Sequence, residues 1–264
     1  MTKIQMIEEN IFAYYQGIAR LLGGQFFEEE QVAWFTTGRQ SLFRFNGVVR
    51  TITRPEKLHE FVDPILEVFL SQKLPFFWVD WQDAGTPGLG AYLRSKKIPF
   101  LHLEAIPAMA CTLSPLPNLS LPKEVEIISV QTKQDRIDWL NVMMQGFEEP
   151  ESSRPDIQEF LVNSLTEPQP VFEHFIARWQ GESCATATLL YTNQTGGIYN
   201  VTTLPAFRRR GLGATITHFT MKMACKAGYS EALLFATPSG FPVYLRLGFK
   251  TISTADLFVW NGSA

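Results

Sequence analysis

Hydrophobic and polar positions along the first 110 residues predict helices that alternate with strands. Apolar residues recur at helical spacing between residues 4 and 22, whereas PFFWVDW, at 75–81, is the short apolar run of a buried strand. By the same criteria, further strands are predicted near 32–36, 42–52 and 100–109, and further helices near 55–72 and 89–97.

The second half has a different order of elements. It begins with a predicted strand near 125–130 and helices near 133–145 and 156–165. Three strand-like runs separated by turn residues follow, namely VFEHFIARW, ATATLLYT and GGIYNVTTL. The pattern ends with a helix near 211–226, the strand ALLFAT, a short helix through Tyr244 and a strand near 251–260. Helices alternating with strands after a hairpin-rich run predict a mixed α/β sheet.

A proline-rich segment divides the chain. Residues 111–123 are CTLSPLPNLSLPK, in which the prolines at 115, 117 and 122 lack a backbone donor and have restricted φ angles. The chain of 264 residues also exceeds the usual size of one hydrophobic core. We therefore predict a domain at 1–113, a linker at 114–123 and a second domain at 124–264.

Composition narrows the class of protein. A net charge of -3 argues against a nucleic-acid partner, because phosphate backbones are bound by clustered Lys and Arg. The N-terminal residues include acids where a signal peptide is apolar, and no apolar run approaches about 18 residues, so we expect a soluble cytoplasmic protein without a membrane partner. Cys111, Cys184 and Cys225 lack metal-ligand spacing, which predicts three small buried residues and no metal.

The most informative segment is VTTLPAFRRRGLGA, residues 201–214, a strand that leads through a basic, glycine-containing turn into a helix. Gly211 and Gly213 permit unusual backbone conformations, and the first N-H groups of the helix point toward the turn. Together with the guanidinium groups of residues 208–210, these donors suit a pyrophosphate. The alternative is that the glycines only start a helix and the arginines form a solvated cluster. The spacing is neither that of a Walker loop nor that of a dinucleotide fingerprint.

Two motifs carry a family resemblance. Arg208-x-x-Gly211-x-Gly213 is similar to the Q/R-x-x-G-x-G/A signature of GCN5-related acyltransferases (GNAT), and Tyr244-Leu-Arg-Leu-Gly-Phe249 resembles the family's Y-x-x-x-G-F motif. They stand in the family's order, 36 residues from Arg208 to Tyr244, with a predicted helix and strand between them. The resemblance implies a GNAT fold with a mixed, mostly antiparallel, splayed sheet flanked by helices.

The resemblance also implies a coenzyme A site. In this family the N-H groups of the turn hold the pyrophosphate, and the main chain of the preceding strand binds pantetheine. The implied cofactor-binding residues are Val201, Thr202, Thr203, Arg208, Arg209, Arg210, Gly211, Leu212, Gly213 and Ala214. A strand N-H, that of Val201 or Thr202, would polarise the thioester carbonyl. Acetyl-coenzyme A is thus the expected co-substrate, with no metal.

Tyr244 is the implied general acid, because the family's tyrosine at this place protonates the departing thiolate; the alternative is a core aromatic. No acid lies between residues 196 and 204, so the general base is not evident, and Asn200 is predicted to position water or substrate. Glu148 and Glu149, with Glu151, are candidates for attracting a cationic acceptor or are ordinary solvated acids. His174 and His218 are predicted surface or packing residues.

Short sequence repeats relate the two halves of the chain. Phe45-Asn46 resembles Tyr199-Asn200 at an offset of 154 residues, and Tyr92-Leu93-Arg94 repeats as Tyr244-Leu245-Arg246 at an offset of 152. Where the second half has the glycine turn, the first half has RTITRPEK at 50–57. The chain is therefore similar to tandem GNAT proteins whose N-terminal GNAT-like domain is degenerate.

These observations predict an enzyme that moves an acetyl group from acetyl-coenzyme A to a small-molecule or peptide amine by direct transfer in a ternary complex, acting as a monomer or homodimer. The alternative is a non-catalytic protein that binds or senses coenzyme A or its acyl esters. An acyl donor longer than acetyl is a third possibility.

Overall fold

The computed structural model describes residues 2–116, 119, 122 and 124–262. Of the predicted linker at 114–123, residues 117, 118, 120, 121 and 123 lie outside the described residues. The chain forms two compact units, one of Met1–Pro107 with Ser253–Ala264 and the other of Ala108–Ile252. The boundaries of these units therefore differ from those of two consecutive domains, because most of the last strand belongs to the first unit.

Helices and strands follow one another in nearly the predicted order. Those that begin in the first 112 residues are α1 (Lys3–Leu21), β1 (Gln25–Glu28), β2 (Val32–Thr36), β3 (Asn46–Thr51), α2 (Leu58–Ser71), β4 (Phe76–Trp81), α3 (Leu89–Ser95) and β5 (Leu101–Thr112). The later ones are β6 (Val125–Ser129), α4 (Lys133–Gly146), α5 (Arg154–Thr166), β7 (Phe172–Trp179), β8 (Glu182–Tyr191), β9 (Gly196–Thr203), α6 (Leu212–Lys226), β10 (Glu231–Phe235), α7 (Phe241–Arg246) and β11 (Lys250–Trp260).

The first unit contains strands in the order β1-β2-β3-β4-β11. All neighbours are antiparallel except β3 and β4, which pair in parallel through Gly47 and Val48. Its core combines Phe69, on the apolar face of α2, with large side chains of the sheet such as Trp78 and Phe258, and each of the three is without exposed surface.

The second unit contains strands in the order β5-β10-β9-β8-β7-β6, and here only β9 and β10 are parallel. Helix α6 packs on β7, β8 and β9 over a core that includes Phe175, Ile198 and Ile216. Helices α4 and α5 also pack on this sheet and bury Trp139 and Phe160. The observed sheet is mixed and mostly antiparallel, as predicted.

Helix α4 is fixed at its N-terminus by a capping box. The hydroxyl of Thr132 accepts a hydrogen bond from the backbone N-H of Asp135, whose carboxylate accepts one from the N-H of Thr132 at 2.9 Å. The guanidinium of Arg178, on β7, donates to Asp135 at 2.9 Å and to Asp138 at 3.2 Å. These contacts set the direction in which α4 crosses the sheet, toward β9.

Among the three cysteines, Cys111 and Cys184 are buried, as predicted. Cys225 is exposed, so the expectation of three buried thiols was wrong for this residue. It lies one residue before the end of α6, where a small side chain contributes little to the core.

Candidate functional site

Strands β9 and β10 separate soon after they meet. Among the described residues, β10 pairs with β9 only through Ala232 with Gly196 and Leu233 with Gly197, although β9 continues to Thr203. The edge of β9 that faces β10 is therefore unpaired from Ile198 onward. This wedge lies at the strand for which the sequence predicted main-chain contacts with pantetheine.

A bulge interrupts β9 at Asn200. The register with β8 shifts between the pairs Thr186 with Thr202 and Thr188 with Tyr199, which leaves Asn200 and Val201 opposite one residue of β8. Asn200 has a φ of 51°, in the left-handed region that asparagine tolerates better than most residues. Bulges of this kind redirect the backbone and are frequent beside active sites.

The turn after β9 gathers backbone donors. A 3₁₀ turn at Pro205–Phe207 leads into Arg209 and Gly211, whose φ angles of 66° and 81° are both left-handed. Gly211 caps α6, and its carbonyl accepts the N-H of Thr215 at 2.9 Å. The N-H groups of Leu212, Gly213 and Ala214 belong to the first turn of α6 and have no intrahelical acceptor. Such a turn at a helix N-terminus is suited to an anion.

The arginine side chains of the turn have contacts that the sequence did not indicate. Arg208 donates from Nε to the carbonyl of Thr203 at 3.0 Å and from Nη2 to the carbonyl of Gly146 at 3.2 Å. The guanidinium of Arg210 lies over the rings of Trp179 and Phe207, at 5.7 and 5.4 Å. Arg208 thus ties the turn to the ends of β9 and α4.

Tyr244 lies on α7 and is 7% exposed. Its ring packs edge-on against Phe249, with centroids 5.9 Å apart, and beside Gly240, where a Cβ atom would come within 2.8 Å of it. Burial raises the pKa of Tyr244 to about 12. Within the described residues its hydroxyl has no hydrogen-bond partner. Tyr244 therefore combines core packing with a hydroxyl that keeps its proton.

The loop between α4 and α5 brings acidic residues close to β9. Gly146 ends α4 directly on this strand, since a Cβ atom there would lie 2.4 Å from Oγ1 of Thr202. Glu148, which has a φ of 57° and is exposed, and Glu149 follow at once. Glu151 instead binds Arg154, from Oε2 to Nε at 2.6 Å, and this hydrogen bond lowers the pKa of Glu151. Glu148 and Glu149 thus follow directly after the residue of α4 that contacts β9.

Both histidines that were predicted to lie at the surface or in packing are buried, His174 completely and His218 to 1% exposure. His174 is hydrogen-bonded through both ring nitrogens, to Ser164 and to Thr188. Sequence analysis missed this polar group. The only signal was its place between Phe172 and Ile176 on alternate positions of a strand.

In the described part of the chain, no group of three or more His, Cys, Asp or Glu side chains is arranged to hold a metal ion. None of its helices combines the length and apolar character needed to cross a membrane.

Comparisons with known proteins agree with the geometry of the second unit. Residues 145–262 match the family described as acetyltransferase (GNAT) domain. None of the curated proteins compared with the chain matches it. The matched region contains β9, the turn, α6 and α7, so residues 145–262 are similar to a GNAT acetyltransferase domain, and the resemblance inferred from the two motifs is confirmed.

Solved structures extend the likeness to nearly the whole chain. A GCN5-related N-acetyltransferase from Kribbella flavida matches with a TM-score of 0.70 and 19% identity, covering 95% of each chain. A functionally unknown conserved protein from Staphylococcus epidermidis matches with a TM-score of 0.70 and 15% identity, covering 91% of this chain and 95% of its own. A tandem GNAT protein from the clavulanic acid biosynthesis pathway matches with a TM-score of 0.57 and 9% identity, covering 97% and 96%. At these identities the likeness is one of fold, and the predicted fold class is confirmed.

Proposed function

We propose that the second unit transfers an acetyl group from acetyl-coenzyme A to an amine of a small molecule or peptide. The observation that carries this proposal is the wedge between β9 and β10, which opens beside a turn whose helix N-terminus offers unpaired N-H groups. An elongated ligand with an anionic end fits both features at once. The domain match supports acyl transfer in general, and the net charge of -3 favours a small acceptor over a nucleic acid.

The residues fit coenzyme A in two places. Backbone N-H groups from Arg209 to Ala214 would hold the pyrophosphate, helped by the positive end of the α6 dipole. The unpaired main chain of β9 between Asn200 and Thr203 would hydrogen-bond the amide groups of pantetheine, as a neighbouring strand does. Side-chain contacts of Arg208 would hold the turn in place and leave the phosphates to the backbone.

Acetyl-coenzyme A supplies the acetyl group as a thioester. In direct transfer the amine nitrogen forms its bond to the acetyl carbon while the carbon-sulfur bond breaks, so the nitrogen loses a proton and the thiolate gains one. The N-H of Val201 or Thr202 would polarise the thioester carbonyl, because the bulge redirects the backbone there. Alignment of the two reactants in one complex supplies much of the acceleration.

Tyr244 would act on the leaving sulfur. With a pKa of about 12, its hydroxyl keeps its proton throughout the neutral range. A tyrosinate of this kind is a stronger base than a thiolate, whose conjugate thiol has a pKa of about 8.5. Burial therefore favours a hydrogen bond from Tyr244 to the developing thiolate over complete proton transfer, and places the contribution of Tyr244 at the lower end for a general acid.

The acceptor would approach from the side of the α4–α5 loop. Glu148 and Glu149 lie at the end of α4 that contacts β9, and their charges would attract a cationic amine before it loses its proton. Asn200 would position the acceptor or a water molecule, since its side chain is half-buried beside the same strand.

Release of coenzyme A thiol tests the proposal. The protein is incubated with acetyl-coenzyme A and a panel of amines, and free thiol is measured beside a calorimetric titration with coenzyme A. We expect binding and amine-dependent thiol release. Binding without release for every amine would favour a coenzyme A sensor, and faster release from longer acyl esters would change the donor. Absence of binding would reject the proposal altogether.

A further inference from the structure

A line of buried polar side chains crosses the second unit from α5 to the bulge of β9. Ser164, His174 and Thr188, which lie on α5, β7 and β8, have no exposed surface. Oγ of Ser164 lies 2.8 Å from Nε2 of His174, and Nδ1 of His174 lies 2.9 Å from Oγ1 of Thr188. Nδ2 of Asn200 then lies 3.2 Å from the same Thr188 oxygen. This line of hydrogen-bonded side chains ends at β9, the strand proposed to bind the acyl group.

The direction of each hydrogen bond follows from the first. We assign the single proton of the Ser164 hydroxyl to the carbonyl of Leu161, 2.8 Å away, and in this assignment the Ser164 oxygen accepts a proton from Nε2 of His174. His174 is therefore the Nε2-H tautomer, and its Nδ1 is an acceptor. Thr188 in turn uses its only proton on Nδ1, which leaves its oxygen to accept from Asn200.

This order of hydrogen-bond donors determines the orientation of the Asn200 side-chain amide. Only the amino group of Asn200 can face Thr188, because the Thr188 proton is already committed to His174. A second threonine of β8, Thr186, donates to the backbone carbonyl of Asn200 at 2.9 Å. Both the side chain and the backbone of the bulged residue are thus held from β8.

The imidazole is suited to this task by its surroundings. Trp139 and Phe160 pack edge-on against it, with ring centroids at 5.0 and 5.8 Å. Burial lowers the pKa of His174 to about 3, so the ring stays neutral and Nδ1 keeps its lone pair at physiological pH. A protonated ring would donate from Nδ1, and Thr188 could then no longer donate to it.

We propose that His174 is a positioning residue for acyl transfer, which through Thr188 fixes the orientation of the Asn200 amide and the bulge of β9. This inference rests on the proposed function. It predicts that the acceptor atom at Nδ1, and not the aromatic ring, is what the reaction needs from this position.

Two substitutions separate these properties. His174→Phe keeps an aromatic ring between Trp139 and Phe160 but has no acceptor for Thr188. His174→Asn loses ring packing but places an amide oxygen near the former Nδ1. We expect a loss of roughly 10-fold to 100-fold in kcat for H174F, with the KM for acetyl-coenzyme A nearly unchanged, because misplacement of reactants by about 1 Å costs on this order. The less stable H174N should retain most of the turnover.

A measurement independent of activity completes the test. The side-chain amide signals of Asn200 and the backbone amide signal of Val201 are followed by NMR in the parent and both variants. We expect these signals to shift or broaden in H174F and to stay near the parent in H174N. If they and kcat are unaltered in folded H174F, or if turnover follows thermal stability in both variants, His174 is only a packing residue. Should the parent lack turnover, the proposed function fails, whereas the NMR comparison still decides whether His174 orients Asn200.

Discussion

At the scale of single residues, the two tyrosines of the repeated Tyr-Leu-Arg sequence have opposite surroundings. The hydroxyl of Tyr92 donates to Asp63 at 2.9 Å, and Nζ of Lys96 lies 4.3 Å from the centroid of its ring. The hydroxyl of Tyr244 has no such partner in the described part of the chain. The same tripeptide therefore supports an ion-paired cluster in one unit and a candidate proton donor in the other.

Replacing Tyr244 by Phe should lower turnover without weakening coenzyme A binding, because the ring keeps its packing against Phe249. We expect a loss of roughly 10-fold to 100-fold in kcat, or about 1.4 to 2.7 kcal/mol of barrier. Tyr92→Phe is the matched control and should leave kcat unchanged. Steady-state rates and calorimetric titrations on both variants would measure this, and equal kcat values for Y244F and the parent would remove Tyr244 from the reaction.

Replacing Glu148 by Gln should weaken the attraction of a cationic acceptor. We expect the KM for such an amine to rise roughly 3-fold to 10-fold at low salt, with the difference shrinking at high ionic strength as charges are screened. Glu126→Gln removes an equal charge from the exposed edge strand β6 and serves as the control. A KM that responds equally to both substitutions would indicate that only net charge matters.

His174 should make the fold sensitive to mild acid. Its pKa is about 3 in the folded protein and near the ordinary 6.5 in the unfolded chain. The unfolded state therefore binds the extra proton between these values, and the free energy of unfolding falls by about 1.4 kcal/mol per pH unit below about 6.5. Urea unfolding from pH 7.5 to 5 should show this slope in the parent. Subtracting the curve of H174N removes the contribution of the other acids, and parallel curves would contradict the assignment.

Sequence analysis found the residues whose role depends on local spacing and missed those whose role depends on partners. The glycines of the turn and Tyr244 stand at fixed intervals along the chain, and the family match confirms the domain that contains them. By contrast, the hydroxyl that donates to His174 and the carbonyls that accept from Arg208 come from other elements. Side-chain partners across strands cannot be derived from spacing. The catalytic and binding roles themselves stay predictions.

At the scale of elements, hydrophobic periodicity predicted which helices and strands form, but it did not predict which unit each strand packs in. Nearly every predicted helix and strand is present, and the only strand missed among the described residues is β1, whose four residues are too few to show alternation. The division of the strands between units was not foreseen. Residues 253–260 of β11 lie in the first unit because strand pairing is non-local and leaves no mark on the strand's own pattern.

The turn before α6 provides a test at this scale. A Cβ atom at Gly211 would meet no atom within 4 Å, so its left-handed φ of 81°, and not lack of space, requires glycine. We expect Gly211→Val to lower stability by about 1 to 3 kcal/mol and to weaken coenzyme A binding at least ~10-fold. Gly211→Asn tolerates this conformation and should bind nearly as the parent. Equal affinity of both variants and the parent would exclude the turn as the anion site.

At the scale of the whole molecule, the two units repeat one topology. In the first unit β1-β2-β3-β4-β11, and in the second β7-β8-β9-β10-β5, show the same succession of two antiparallel pairs, a short parallel pair and an antiparallel pair. Each parallel pair is followed in the chain by a short helix that bears Tyr-Leu-Arg. This agreement supports the internal duplication that the short sequence repeats suggested.

The copies differ at the turn that we propose as the coenzyme A site. After β3, α2 begins at Leu58 with Lys57 as its N-cap, behind a 3₁₀ turn at Pro55–Lys57 and without a glycine. Tyr92 is bound to Asp63, so its hydroxyl is occupied as well. We therefore expect one molecule of coenzyme A per chain, measured as a calorimetric stoichiometry near one. Gly211→Val supplies the control, because it should weaken binding at the proposed site in the second unit and leave any site in the first unit unchanged. A stoichiometry of two in the parent would show that the first unit also binds coenzyme A and would contradict its assignment as a degenerate copy.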